Sequence, residues 1–181
     1  MRFLLCFLGL TLTALAQDPD LNEISASTAL GGKDVFTTIR NAETVTAQRI
    51  DSTAQDEGPQ IITELGSPFT VPAPEATALK TAFTQGATYL SPSKSCQFRA
   101  NVRYTFATAQ DKVSLVICFG CGELEVWRGS ELVSFGPFDG GYGNILGITK
   151  QLFPKDEFLA AFTEKSFRER AQRMQVEPPK N

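Results

Sequence analysis

Residues 96–119 read "CQFRANVRYTFATAQDKVSLVICF", and two patterns inside this stretch decide the fold. From Gln97 to Phe106, the apolar or aromatic Phe98, Ala100, Val102, Tyr104 and Phe106 alternate with Gln97, Arg99, Asn101, Arg103 and Thr105. Successive side chains of a strand point to opposite faces, so this alternation predicts a strand with one buried and one wet face. After Ala107 to Asp111, "KVSLVICF" is apolar at nearly every position and is expected as a central strand. With the turn centred near Ala109 and Gln110, facing residues have numbers that sum to about 219.

The same reasoning extends outward. "ELEVW" turns Leu124 and Val126 inward and Glu123, Glu125 and Trp127 outward, and Arg128-Gly129-Ser130 leads it into "ELVSF", closing a meander of four strands. Upstream, Asp34 is placed to cap a short helix with Val35, Phe36 and Ile39 on one face. "TVTAQRI" and "QIITELG" read as strands joined by the polar loop Asp51 to Gln60, with a hairpin as one reading of the pair. Pro72 and Pro74 introduce a helix with Ala76, Leu79, Ala82 and Phe83 on one stripe, ending at Gly86. Downstream, the loop "GPFDGGYGN" precedes a helix from about Asn144 and another from about Asp156, with Phe158, Leu159 and Phe162 inward and Pro154 between them. The grouping predicts an α+β fold, an antiparallel meander sheet of about 4–6 strands covered on one face by helices.

Met1-Arg2, the apolar run Phe3 to Leu15 and the small residues Ala14 and Ala16 have the form of a secretory signal peptide over residues 1–16. The apolar run is about 13 residues where a spanning helix needs roughly 20. Residues 17–33, rich in Asp, Ser, Ala and Gly, read as a flexible leader, 34–174 as a single α+β domain and 175–181 as a tail. Removal of the signal leaves sixteen basic against twenty acidic residues, a formal charge of about −4. That balance argues against a nucleic-acid or anionic-membrane binder, and the cluster Lys165 to Arg173, interleaved with Glu169, reads as a solvated helix face.

The chain has no histidine, which removes Ser-His-acid and Cys-His hydrolysis and the usual zinc and haem ligands. No metal site and no cofactor is expected. Gly141-Tyr142-Gly143 lacks the spacing of a dinucleotide fingerprint, and its glycines read as a sharp turn between sheet and helix. Glu123 and Glu125 project from one strand face, and a paired-carboxylate hydrolase is one reading of them. Cys6 leaves with the signal, so three thiols remain. In the register above Cys118 lies opposite Asn101 while Cys121 comes within two positions of Cys96. A structural Cys96–Cys121 bridge, helped by a one-residue bulge, would leave Cys118 as a buried thiol. The competing arrangement is a redox pair Cys118–Cys121, although no helix N-terminus is at hand to activate it.

"CQF", "VICFGC" and "LFPKDEF" together resemble an uncharacterised family of bacterial exported proteins and lipoproteins, with a lone Cys before a C-F-x-C and a terminal F-P-x-D. The resemblance covers roughly Asp34 to Phe162. It implies a small exported α+β domain and carries no catalytic role. This chain lacks the lipid-attachment cysteine of the lipoprotein members, because Cys6 lies too early in the apolar run.

Three functions are open to such a chain. The first is an exported, non-catalytic binding or interaction module for a protein or small ligand of the cell envelope, with Arg99, Arg103, Tyr89 or Trp127 as contacts. The second is a thiol-disulfide redox protein using Cys118 and Cys121. The third is a carboxylate-based hydrolase using Glu123 and Glu125. Neither nucleic acid nor a membrane span of the mature chain is among the expected partners.

Overall fold

The computed structural model describes residues 19–53, 61–91 and 96–174. The expected signal peptide 1–16 and tail 175–181 lie outside them. In chain order the elements are α1 (Pro19–Ala29), α2 (Lys33–Asn41), β1 (Thr44–Thr53), β2 (Ile61–Glu64), β3 (Phe69–Thr70), α3 (Ala73–Phe83), β4 (Val102–Ala107), β5 (Lys112–Cys118), β6 (Glu123–Arg128), β7 (Glu131–Pro137), α4 (Tyr142–Leu152), α5 (Glu157–Ala160) and α6 (Glu164–Met174). Short 3₁₀ turns at Gly86–Tyr89 and Asp139–Gly141 complete the set.

The fold is α+β. An open antiparallel sheet of seven strands runs β2-β1-β4-β5-β6-β7, with the short β3 pairing with β1 further along the same edge as β2. The β4–β5 register follows the expected hairpin, with Val102 opposite Ile117 and Ala107 opposite Lys112. Helices cover one face. There Val45, Ala47, Tyr104, Phe106, Leu115, Ile117 and Val126 pack against Phe36, Ile39, Leu79, Phe83, Ile145 and Phe167 in one continuous core. Tyr104 keeps its hydroxyl there by bonding Thr149 Oγ1 of α4 at 2.6 Å, because an unpaired hydroxyl in that core would cost its full desolvation.

Three expectations are corrected. Residues 19–29 form a helix where a flexible leader over 17–33 was expected, and Ala26 and Leu30 are completely buried. Tertiary contacts hold α1: Asn22 Oδ1 accepts from the Gly86 backbone at 2.7 Å, and the carbonyl of Ala29 accepts from Ser134 Oγ of β7 at 2.7 Å. Second, β4 starts at Val102, so residues 96–101 are not ladder strand. Their backbone groups find other partners, Ala100 N–H on Ser52 Oγ at 2.7 Å and Arg99 N–H on Cys118 Sγ at 3.4 Å. Third, the helix expected from Asp156 is one turn, α5, and Phe158 is exposed while Leu159 and part of Phe162 pack inward. Asp156 caps α5 by accepting from Leu159 N–H at 2.8 Å and accepts a second bond from Arg49 Nε at 2.8 Å, which pins this turn to β1.

The glycine loop is a packing device. A Cβ on Gly140 would run into the carbonyl of Ala87, and one on Gly141 would meet Thr88 at 2.6 Å, so only glycine lets the two 3₁₀ turns touch.

Candidate functional site on the open sheet face

Alternation puts every second residue of the central strands on the face away from the helices. Cross-strand pairing arranges them in two rows that run across the strands. One row reads Gln48, Arg103, Val116, Glu125, Phe135, and the next reads Thr46, Thr105, Ser114, Trp127, Leu132. The second row depends on a slip in the β6–β7 register, which moves from Val126 opposite Ser134 to Trp127 opposite Leu132. The extra residue, Val133, packs on the helix-side core, and Leu132 faces outward beside the indole.

All of these but Phe135 line a trough of about 910 Å³. Ile62, Glu64 and Pro68 wall it at the β2 end, and Gly129, Ser130 and Leu132 at the β6–β7 turn. Several of its polar groups hold one another. Gln48 is buried, its Nε2 donating to Gly66 O at 2.9 Å and its Oε1 accepting from Arg103 Nη1 at 3.2 Å. Arg103 reaches Glu64 Oε1 at 3.3 Å with the same nitrogen. The hydroxyls of Thr105 and Ser114 stand 3.0 Å apart. Trp127 Nε1 donates to Glu125 Oε2 at 2.8 Å. Burial pushes the Glu125 carboxyl above the ordinary glutamate range, and the indole bond only partly offsets this.

Beyond the trough, toward the Cys118 end, a second small core lies on the same face. Ile50, Phe98, Ala100, Val116, Cys118 and Cys121 cluster there, and the Phe98 ring meets Phe135 edge-on with centroids 5.7 Å apart. The alternation expected through residues 97–106 therefore changes face at Asn101: Phe98 and Ala100 lie on the open side, Val102 and Tyr104 on the helix side. Asn101 makes the change possible. Its N–H bonds Ile117 O at 2.8 Å, its carbonyl accepts from Ile50 N–H at 3.1 Å, and its Oδ1 accepts from Phe119 N–H at 2.8 Å.

Cys96 and Cys121 stand at disulfide distance, 2.07 Å between sulfurs and 5.9 Å between Cα atoms. Cys118 is a buried free thiol whose Sγ accepts from the N–H groups of Cys121 at 3.2 Å and Arg99 at 3.4 Å. Burial raises its pKa in spite of those bonds, the reverse of what a reactive thiolate needs.

The sequence-derived candidates therefore separate. Arg103 and Trp127 line the trough. Arg99 does not line it; its guanidinium makes a two-pronged pair with Asp51 at 2.9 and 2.8 Å and holds that carboxyl below its ordinary range. Tyr89 is on the helix side, its hydroxyl donating to Phe83 O at 2.6 Å and its pKa raised by burial. Glu125 lines the trough, whereas Glu123 is buried outside the lining. The structure thus does not bring the two carboxylates into one cleft. Thr46, Gln48, Ile62 and Glu64 complete the site without having been singled out. The alternation of Thr46 and Gln48 with Val45 and Ala47 carries the signal for the first two.

Among the described residues no group of three or more His, Cys, Asp or Glu side chains is placed to hold a metal ion, and no helix is long and apolar enough to cross a membrane. Compared with family models, curated proteins and solved structures, the chain matches none of them.

Proposed function

We propose that this chain is an exported, non-catalytic binding module whose contact surface is the trough on the open face of the sheet. The observation that carries the reading is the convergence, in one concave surface of about 910 Å³, of apolar walls with a few mutually oriented polar groups, Gln48, Arg103, Glu125 and Trp127. Small-molecule sites have this composition and size. The signal-like residues 1–16 and the Cys96–Cys121 pair support an oxidising, extracytoplasmic setting, with a ligand or protein of the cell envelope as partner.

Nothing comparable supports the two catalytic readings. A redox role needs an activated thiol, and Cys118 is buried with a raised pKa while Cys121 is paired with Cys96. A two-carboxylate hydrolase needs both acids in one cleft, and only Glu125 is there.

The test exploits a single fact of composition: Trp127 is the only tryptophan of the chain, and it lines the trough. Its emission is therefore a local reporter. A screen of small molecules grouped by class, read by the emission shift of Trp127 and by thermal stabilisation, is expected to give responses that Arg103→Ala removes. Responses in thermal stability that leave Trp127 emission unmoved would place the contact surface elsewhere and end this reading.

A further inference from the structure

We infer that the trough takes a neutral carbohydrate, an oligosaccharide lying across the strands. The inference rests on the binding-module reading above and gives it a ligand class.

Charge sets the first condition. The trough carries Arg103 and Lys112 against Glu64 and Glu125, so its formal charges cancel, and Arg103 already meets Glu64 at 3.3 Å. Neither a polyanion nor a polycation finds a complementary field there. The floor sets the second. A purely alkyl ligand laid over it would strip water from Arg103 and Glu125 without replacing the lost hydrogen bonds, at a cost in each case. The occupant must therefore be uncharged and rich in hydrogen-bonding groups.

The arrangement of the two rows narrows this to vicinal hydroxyls. One row supplies the flat end groups of Gln48, Arg103 and Glu125, an amide, a guanidinium and a carboxylate. Gln48 is buried and uses its amide on Gly66 and Arg103, so it steadies the guanidinium, and the row presents to a ligand the forked N–H donors of Arg103 and the Oε1 acceptor of Glu125, the kind of groups that engage sugar hydroxyls. The parallel row supplies the hydroxyls of Thr46, Thr105 and Ser114 and ends at Trp127. The indole is held by its bond to Glu125 at 2.8 Å, so an apolar plane stands beside a carboxylate that is already partly stripped of water. A pyranose presents the matching combination, an apolar C–H face and a rim of hydroxyls.

Length agrees with an oligomer. The rows cross the five strands β1, β4, β5, β6 and β7, and at a spacing of about 4.8 Å they extend roughly 19 Å, the length of several sugar units in line. The rows run in this same direction, so a chain crossing the strands meets each polar group in turn.

The test titrates the intact protein with cellohexaose, chitohexaose, xylohexaose and mannohexaose, with lauric acid and an unstructured polar decapeptide as comparators. Trp127 emission and calorimetry give the readings. At least one oligosaccharide is expected to shift the emission and to bind with an affinity that falls tenfold or more in Glu125→Gln and in Arg103→Ala. The near-ultraviolet circular dichroism of both variants shows whether the fold is kept, and Trp127→Phe, read by calorimetry, provides a third variant that keeps a ring at the site. Oligosaccharide binding that survives all three substitutions overturns the inference. If lauric acid or the peptide shifts Trp127 while every oligosaccharide is silent, the trough is a binding site and the carbohydrate class is wrong. If no probe moves Trp127, the inference and the binding-module reading fall together.

Discussion

The two faces of one sheet divide the labour of this molecule. Tyr104 and Arg103 are neighbours in sequence, yet Tyr104 is completely buried against α4 while Arg103 lies in an open trough. On the helix side, Phe119 meets Phe138, Tyr142 and Phe162 at centroid distances of 6.0, 5.9 and 6.0 Å, and Tyr142 stacks on Phe167 at 3.8 Å. On the other side, hydroxyls, an amide and charged groups hold one another along the floor of the trough, beside a small apolar core around Cys118. Stability is concentrated on the first face, which leaves the second able to carry polar groups whose interactions with water cost the fold little.

Substitutions measure the contrast. The largest effect is expected at Phe119→Ala, which empties the centre of the aromatic cluster and should cost about 3–5 kcal/mol in denaturant unfolding. A loss below about 1 kcal/mol would mean that the helix-side cluster does not dominate stability. Next comes the pair Cys96→Ser with Cys121→Ser. Opening a bridge that spans 25 residues should cost about 3 kcal/mol, with hydrogen exchange rising first in residues 96–101 of the open side. Uniform acceleration across both faces would show that the bridge serves the whole domain. Arg99→Ala, which removes an exposed ion pair with Asp51, should change stability by less than about 1 kcal/mol, with the effect shrinking at high salt.

The smallest expected effect has the opposite sign. Burial raises the Glu125 pKa in the folded state, so the folded protein holds this proton to higher pH than the unfolded chain does. Between the ordinary value of about 4.5 and the raised one, stability from this group falls as pH rises. Glu125→Gln should remove that fall and leave the protein slightly more stable at neutral pH. The stability profiles of the two proteins against pH decide it. Asp51 runs the other way: its lowered pKa gives stability that is present above its ordinary value and lost as pH falls through the lowered one.

Local pattern made the central sheet legible. Alternation in Val102 to Phe106 and in Glu123 to Trp127, with a turn near Ala109, gave strands, faces and register, and with them Arg103 and Trp127 of the trough. What escaped depends on contacts between distant segments. Helix α1 has few large apolar residues, and its place is set by Asn22 on Gly86 and Ser134 on Ala29, 64 and 105 residues apart. The change of face at Asn101 leaves the alternation of residue types undisturbed, so nothing in the pattern marks it. Glu64 enters through the hairpin of β1 and β2, a local pairing, whereas Gln48 joins Arg103 only because β1 crosses to β4, a pairing that no local rule specifies.

Gly122, at the corner of the Cys118–Cys121 turn, has φ +67°, and a Cβ there would run into the ring of Phe167 on α6. Phe167 thus roofs the turn that carries Cys121, so the last helix on one side of the sheet and the bridge on the other share a single fastening. Whatever loosens α6 also frees the corner at which the bridge is anchored.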